Sequence, residues 1–185
     1  MSNRNTQGFG LIAAGALGST PATSGQGKYK IDAGYGTTLF HGGAVASAAG
    51  YIVDGQTTDA PILGVLNGIF YNAATTLKPT FANHYVQVTP ANSEDIDAFV
   101  FDNPQQQYVV ATDDAVAQAG YLETYDMNTT AGSTTTGQSS ATLDIGDTSA
   151  DAASWRLLRS AEDPENDENA AFRSVVVVAN LIELQ

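Results

Sequence analysis

His41 and His84 are the side chains whose unperturbed pKa lies near neutrality, so they are the first candidates for acid–base chemistry. Each stands beside an aromatic residue in strand-like surroundings, Phe40 and Tyr85, which is the setting of a structural or surface histidine. A serine-histidine-aspartate set needs a marked nucleophile, and no G-x-S-x-G run occurs among the many serines. Carboxylate pairs such as Glu94 with Asp97, or Asp113 with Asp114, have the residue types for glycoside hydrolysis, which takes two acids at a set separation on a sugar-binding cleft. Apart from Trp155, however, the aromatic rings lie on apolar runs where core packing accounts for them. "DPENDEN", Asp163 to Asn169, puts oxygens at alternate positions (Asp163, Glu165, Asp167) as a calcium loop does. It lacks the glycine of the sharp turn and the distant bidentate glutamate, and reads as a solvated acidic loop. The chain has no cysteine, hence no disulfide, zinc-thiolate site or thiol nucleophile, and no P-loop or G-x-G-x-x-G after a strand. No catalytic residue, metal ligand or cofactor is assigned. The expectation is a protein that is not an enzyme.

Charge narrows the partners. Seven basic residues against twenty acidic give a net charge of -13, the opposite of the basic footprint that phosphate binding needs, so no nucleic-acid partner is expected. Arg4, Lys28 and Lys30 make the start of the chain positive, with no acid before Asp32. Acids crowd between Glu94 and Glu168, where Arg156 and Arg159 are the only cations. A basic segment on an acidic body suggests contact with an acidic neighbour through the first and solubility through the second. No stretch approaches the roughly 18 continuous apolar residues of a membrane span, and the first ten residues lack a secretory signal's pattern.

The elements that must position these residues read as strands. The 185 residues suit one compact domain, and 43% hydrophobic content in short apolar runs, punctuated by 18 glycines and polar clusters, is an all-β rhythm. Residues 1–27 are rich in Gly, Ala, Ser and Thr and read as an extended, flexible arm that includes "FGLIAAGALG". The single β domain, residues 28–185, opens at "KYKID", where Tyr29 and Ile31 alternate with Lys28 and Lys30. "TTLF", "GYIV" and "APILGVL" read as successive strands, the last two joined as a hairpin at Asp54-Gly55, with Gly64 marking a bulge or bend. "HYVQV" and "DAFVF" follow, the latter central, and "QYVVAT" is expected to form a hairpin with it across "DNPQQ". "TDDAVAQAG" has Thr112 as N-cap and Gly120 as stop, which predicts the one short helix. A polar loop over 128–140 is expected to project. "SWRLLRSA" places Trp155, Leu157 and Arg159 on one strand face. "SVVVVANLIEL" is a terminal strand that must be paired or covered, closing a barrel or joining a neighbouring subunit.

The order of pieces resembles a family of small structural proteins of tailed bacteriophages, particularly those infecting marine bacteria: the capsid decoration, or cement, proteins. It runs through "GFG", "KYKI", "LFHGGAV", "GYIVDG", "ILGVLNGIFY", "PTFANHYV", "DAFVFDNPQQQYVV", "TTTGQSSATLD" and "ASWRLLRSAEDPEND" to the valine-rich end. The resemblance implies an antiparallel β-barrel or sandwich that binds the outer surface of the virion's capsid, often as a homotrimer. There it would bridge neighbouring subunits of the major capsid protein and stabilise the shell. It implies no catalytic residue. On that reading Arg4, Lys28 and Lys30 are expected to meet acidic capsid surface, Phe9, Leu11 and Ile12 to fill apolar grooves, and Tyr29 to join the contact. The alternative is a head-fibre or adhesin module binding host glycans through the Thr/Ser-rich loop, with Tyr121 and Tyr125 just before it.

Overall fold

The computed structural model describes residues 3, 5–18, 25–56, 61–146, 153–167 and 169–184. The fold is all-β, built from antiparallel sheets. The first sheet orders five strands as β1 (Ile12–Ala16), β8 (Gln106–Ala111), β13 (Ser174–Ala179), β12 (Trp155–Ser160) and β9 (Thr124–Tyr125). The second runs β2 (Gly27–Ile31), β7 (Ile96–Phe101), β5 (Gly64–Asn72), β3 (Ala44–Ala48) and β4 (Tyr51–Asp54), with β6 (Pro79–Ala82) also paired to the long β5. A small pair, β10 (Met127–Asn128) and β11 (Thr142–Leu143), completes it.

The second sheet curls until its edge strands β2 and β4 lie alongside each other without pairing, so it encloses a core of its own while remaining open along that seam. Ile31, Val45, Ile52, Leu66, Ile69, Ile96, Ala98 and Val100 fill it. A second core lies between the first sheet and the flank of the curled one, around Trp155, Tyr108, Leu157, Val175 and Val177. The continuous apolar run at 62–66 follows from serving both: Ile62 and Val65 enter the core beneath the first sheet, and Leu63 and Leu66 enter the other. A run apolar on alternate sides is what a strand buried on both faces requires.

Gly64 sits where β5 begins its pairing with the end of β7, and a Cβ there would collide with the Phe101 carbonyl oxygen. The register shift expected at Gly64 falls instead between Leu66 and Gly68, opposite Val100 and Phe99. That extra residue resets the alternation, turning Ile69 inward and Phe70 outward.

Several expectations are corrected by the pairing. "GYIV" and "APILGVL" do not form a hairpin: β4 pairs with β3, and β3 stands between β4 and β5. "DAFVF" and "QYVVAT" are not a hairpin either, because β7 and β8 belong to different sheets and the turn between them carries the chain across the sandwich. "TTLF" and "HYVQV" reduce to one bridge, Leu39 to Tyr85. The helix expected after Thr112 does not form. Thr112 continues the ladder instead, donating its N–H to Arg173 O at 2.9 Å and accepting from Phe172 N, while Val116 is pulled into the core. A 3-10 turn at Gln118–Gly120 is what remains. Arg159 leaves the face of Trp155 and Leu157, since a register shift lies between Leu157 and Arg159. The terminal strand is covered within the chain, pairing with β8 on one side and β12 on the other.

The arm is also corrected over its described residues. Leu11 is 2% exposed in the core, its N–H bonded to Gly42 O at 2.8 Å, and β1 forms the edge of the first sheet. Gly8 and Gly10 pass so close to Ser140 and Gly42 that side chains there would collide. Glycines that suggest freedom in the sequence here permit close approach. The loop over 128–140 does not stand clear along its whole length: His41 N bonds Gly137 O at 2.9 Å, Asn83 Nδ2 bonds Thr136 O at 2.8 Å, and Ser139 is buried.

Candidate interaction surface

The outer face of the curled sheet collects the surface features that bear on binding. Alternation turns Lys28 and Lys30 of β2, Asp97 and Phe99 of β7, Phe70 of β5 and Phe81 of β6 away from the core. Register then sets them in a row, Lys30 opposite Asp97, Asp97 opposite Phe70, and Phe70 opposite Phe81. Phe70 and Phe81 contact with ring centroids 4.6 Å apart, tilted by 45°. Phe81 is nonetheless 74% exposed, on a strand whose far edge pairs with no described strand. The β5–β6 hairpin ends in Leu77, 71% exposed, whose N–H bonds Ala73 O at 2.8 Å.

Beside the phenylalanines lies an ion cluster. Lys28 Nζ reaches Asp97 Oδ2 at 2.7 Å and Lys30 Nζ reaches Oδ1 at 2.6 Å. Burial works against the Asp97 charge, but the two ammonium groups outweigh it and hold the carboxyl below its ordinary value. Lys30 is raised in turn, first by its hydrogen bond to Asp97.

The expected contact residues are dispersed. Lys28 and Lys30 lie on this face, already engaged with Asp97. Tyr29 points the other way and donates its hydroxyl to Asp102 Oδ2 at 2.7 Å. Ile12, 48% exposed, lies on the edge of the other sheet. Phe9 is half-buried, its carbonyl taken by Gln138 Nε2 at 2.6 Å. Leu11 fills the protein's own core and is not available to a partner. Arg4 lies outside the described residues. Phe70 and Phe81 were missed by sequence reasoning, although the alternation in "GIFY" and "PTFA" carries the signal once the two strands are paired.

The residues that suggested chemistry take structural places. His41 Nδ1 lies 2.9 Å from Asn67 O, and the His84 ring stacks on Phe40 with centroids 6.3 Å apart. Asp113 Oδ1 accepts from Ile145 N at 2.9 Å and so ties two segments distant in sequence, and Asp114 Oδ1 accepts from Ala115 N at 2.7 Å. The acidic loop is clasped by asparagines: Asn3 Nδ2 donates to Ala171 O at 2.8 Å and Asn166 Nδ2 to Ser174 O at 2.8 Å. Among the described residues no three His, Asp or Glu side chains are grouped to hold a metal. Tyr125 is buried at 2% exposure and presents no ring to a sugar, and Tyr121 packs under the Arg173 guanidinium at 5.6 Å. Comparison with protein-family models, with curated proteins and with solved structures finds no match to this chain.

Proposed function

We propose that this is a non-catalytic structural protein of a phage virion, a decoration protein that seats on the outer surface of the capsid and stabilises the shell by bridging neighbouring major capsid subunits. The observation that carries the reading is Phe81, three-quarters exposed at the sheet edge and held against Phe70 beside the Lys28–Asp97–Lys30 cluster. An exposed aromatic pair with charged groups to one side has the residue types of an interface, where a few residues carry most of the binding energy. The net charge of -13 suits a body that faces water and is repelled by packaged DNA. Any ligand of the assembled state stabilises that state, and many copies, here expected as homotrimers, multiply a modest contact.

The test is co-sedimentation of the purified protein with shells assembled from the major capsid protein, comparing wild type with Phe81→Ser. The variant is expected to fold, with a melting temperature lowered by no more than about 2–4 °C for the lost cross-strand ring pair, and to bind at least about tenfold more weakly, the loss typical of an aromatic anchor. Equal binding by both proteins would overturn the assignment of this face.

A further inference from the structure

The open seam of the curled sheet carries a second surface. Where β2 and β4 lie side by side without pairing, Tyr29 and Ile52 share a groove of about 720 Å³ with residues 61–63 and 182–184, which are bridged to each other at Ile62 and Ile182. Its walls are aliphatic and aromatic, with Ile52, Leu63, Pro61 and Leu184 beside Tyr29 and Tyr51. Leu184 is 48% exposed. A recess of that size with an apolar lining and a few convergent polar groups is the usual form of a binding site.

The polar groups have one sign. Tyr29 donates its hydroxyl to Asp102, and Tyr51 donates its hydroxyl to Asp95 Oδ2 at 3.1 Å. Glu183 lines the groove and accepts from Ser47 N at 2.8 Å. Tyr29 also feels Glu183, and Tyr51 also feels Asp32, and both hydroxyls are held above their ordinary value. Burial is the first cause for Tyr29, and the bond to Asp95 for Tyr51. Lys28 and Lys30, on the outer face, are engaged with Asp97, and Lys30 also feels Asp95. Glu183 therefore brings negative charge to the groove itself, and Asp102 and Asp95 stand behind the hydroxyls of the tyrosines that line it.

We infer that this groove seats an extended, lysine- or arginine-bearing segment of a protein partner, its apolar side chains on Ile52, Leu63 and Leu184 and its cationic group between Glu183 and the tyrosine rings. The carboxylates select the charge, the tyrosine faces add cation–π attraction, and the apolar floor distinguishes a peptide from a bare polycation. The site is separate from the Phe81 face, and its test requires no capsid.

The probe is a capped Leu-Lys-Leu-Lys peptide added to the full chain and followed by backbone amide NMR, with a Leu-Glu-Leu-Glu peptide and spermine as comparisons. The lysine peptide is expected to shift the amides of Ser47, Ile52, Ile182 and Leu184, and to bind less tightly as salt rises. Glu183→Gln and Asp95→Asn, which keep acceptors for Ser47 N and the Tyr51 hydroxyl, should each weaken it about two- to fivefold. Leu184→Ser should weaken it without changing the salt dependence. Equal binding of the glutamate peptide, shifts gathered on the acidic loop 162–167 instead of the groove, or spermine binding as tightly as the peptide would each overturn the assignment.

Discussion

The hydroxyl of Tyr108, in one sheet, donates to the carbonyl of Phe101, in the other, at 3.1 Å. The two residues flank the turn that carries the chain across the sandwich, so this bond ties the sheets where they diverge. Tyr108 is 2% exposed and meets the edge of Trp155 at 5.6 Å with the rings perpendicular. Tyr108→Phe keeps the ring and removes the bond, and is expected to cost about 1 kcal/mol. Thermal denaturation should show a fall of roughly 2–4 °C for a chain of this size. Burial holds the Tyr108 hydroxyl above its ordinary value, so its neutral form is favoured in the folded state. That contribution is complete below pH of about 10 and is lost as pH rises further, which steepens alkaline unfolding. Tyr108→Phe should flatten the alkaline limb.

The same Phe101 carbonyl is what a side chain at Gly64 would strike. Because the obstacle is backbone of β7, the strand paired to β5, relief requires parting the two strands. Gly64→Ala is expected to destabilise by about 2–3 kcal/mol, in the range of overpacked cores. Gly15, in β1, has no atom within 4 Å of the position a Cβ would take. Gly15→Ala should therefore be neutral or stabilising by up to about 1 kcal/mol, through the unfolded chain. Urea titration of the two variants separates these outcomes, and similar midpoints would contradict the packing described at Gly64.

Asp97 gives a pH signature. Its carboxyl is held below the ordinary value in the folded state, so its contribution is present above pH of about 4 and is lost as pH falls towards the depressed value. Lys30 is shifted the other way, so its share is complete below about pH 10 and fades above it. Both lysines are about half exposed, at 59% and 50%, which limits the two pairs to roughly 1 kcal/mol together. Asp97→Asn should lower the melting temperature by about 2–4 °C at neutral pH, with the difference closing in acid. A constant difference down to pH of about 2 would show that the ion pairs are not its source.

How much of this was legible beforehand depends on what periodicity reports. Ile96–Phe101 alternates because one face is buried, and its inward set, Ile96, Ala98 and Val100, can be read from residue types alone. "SVVVVA" announces burial on both faces and thus a central place. Periodicity states which face is buried and not which strand lies alongside, so adjacency in sequence suggests β4–β5 and β7–β8 hairpins that the sheets do not contain. Ala44–Ala48, all alanine, valine and serine, has weak strand propensity and is a strand because β4 and β5 flank it. The outward lysines were visible in "KYKI", but their partner Asp97 lies far along the chain and only register brings it opposite Lys30. Phe81 was invisible as a surface residue for the same reason, since an exposed phenylalanine reads as core until its strand is found at an edge.

Removing the first 17 residues discriminates between a detachable arm and a structural edge. Were these residues only a tether, the shortened protein would melt as the full chain does and lose partner binding alone. Leu11 instead sits in the core beside Trp155 and Val177, and burying a leucine contributes about 1.5–3 kcal/mol. The deletion also strips β1 from β8 along Ile12–Ala16, exposing an edge that now includes Val109 and Gln107. The amide of Asn3 is taken from Asp167, Ala170 and Ala171, releasing the acidic loop next to β13. These losses act on one sheet and should be cooperative, so the expected destabilisation exceeds the leucine alone. Hydrogen exchange in the shortened protein should accelerate first in β8 and in residues 163–171, with the curled sheet protected longer. An unchanged exchange pattern in β8 would contradict the edge pairing.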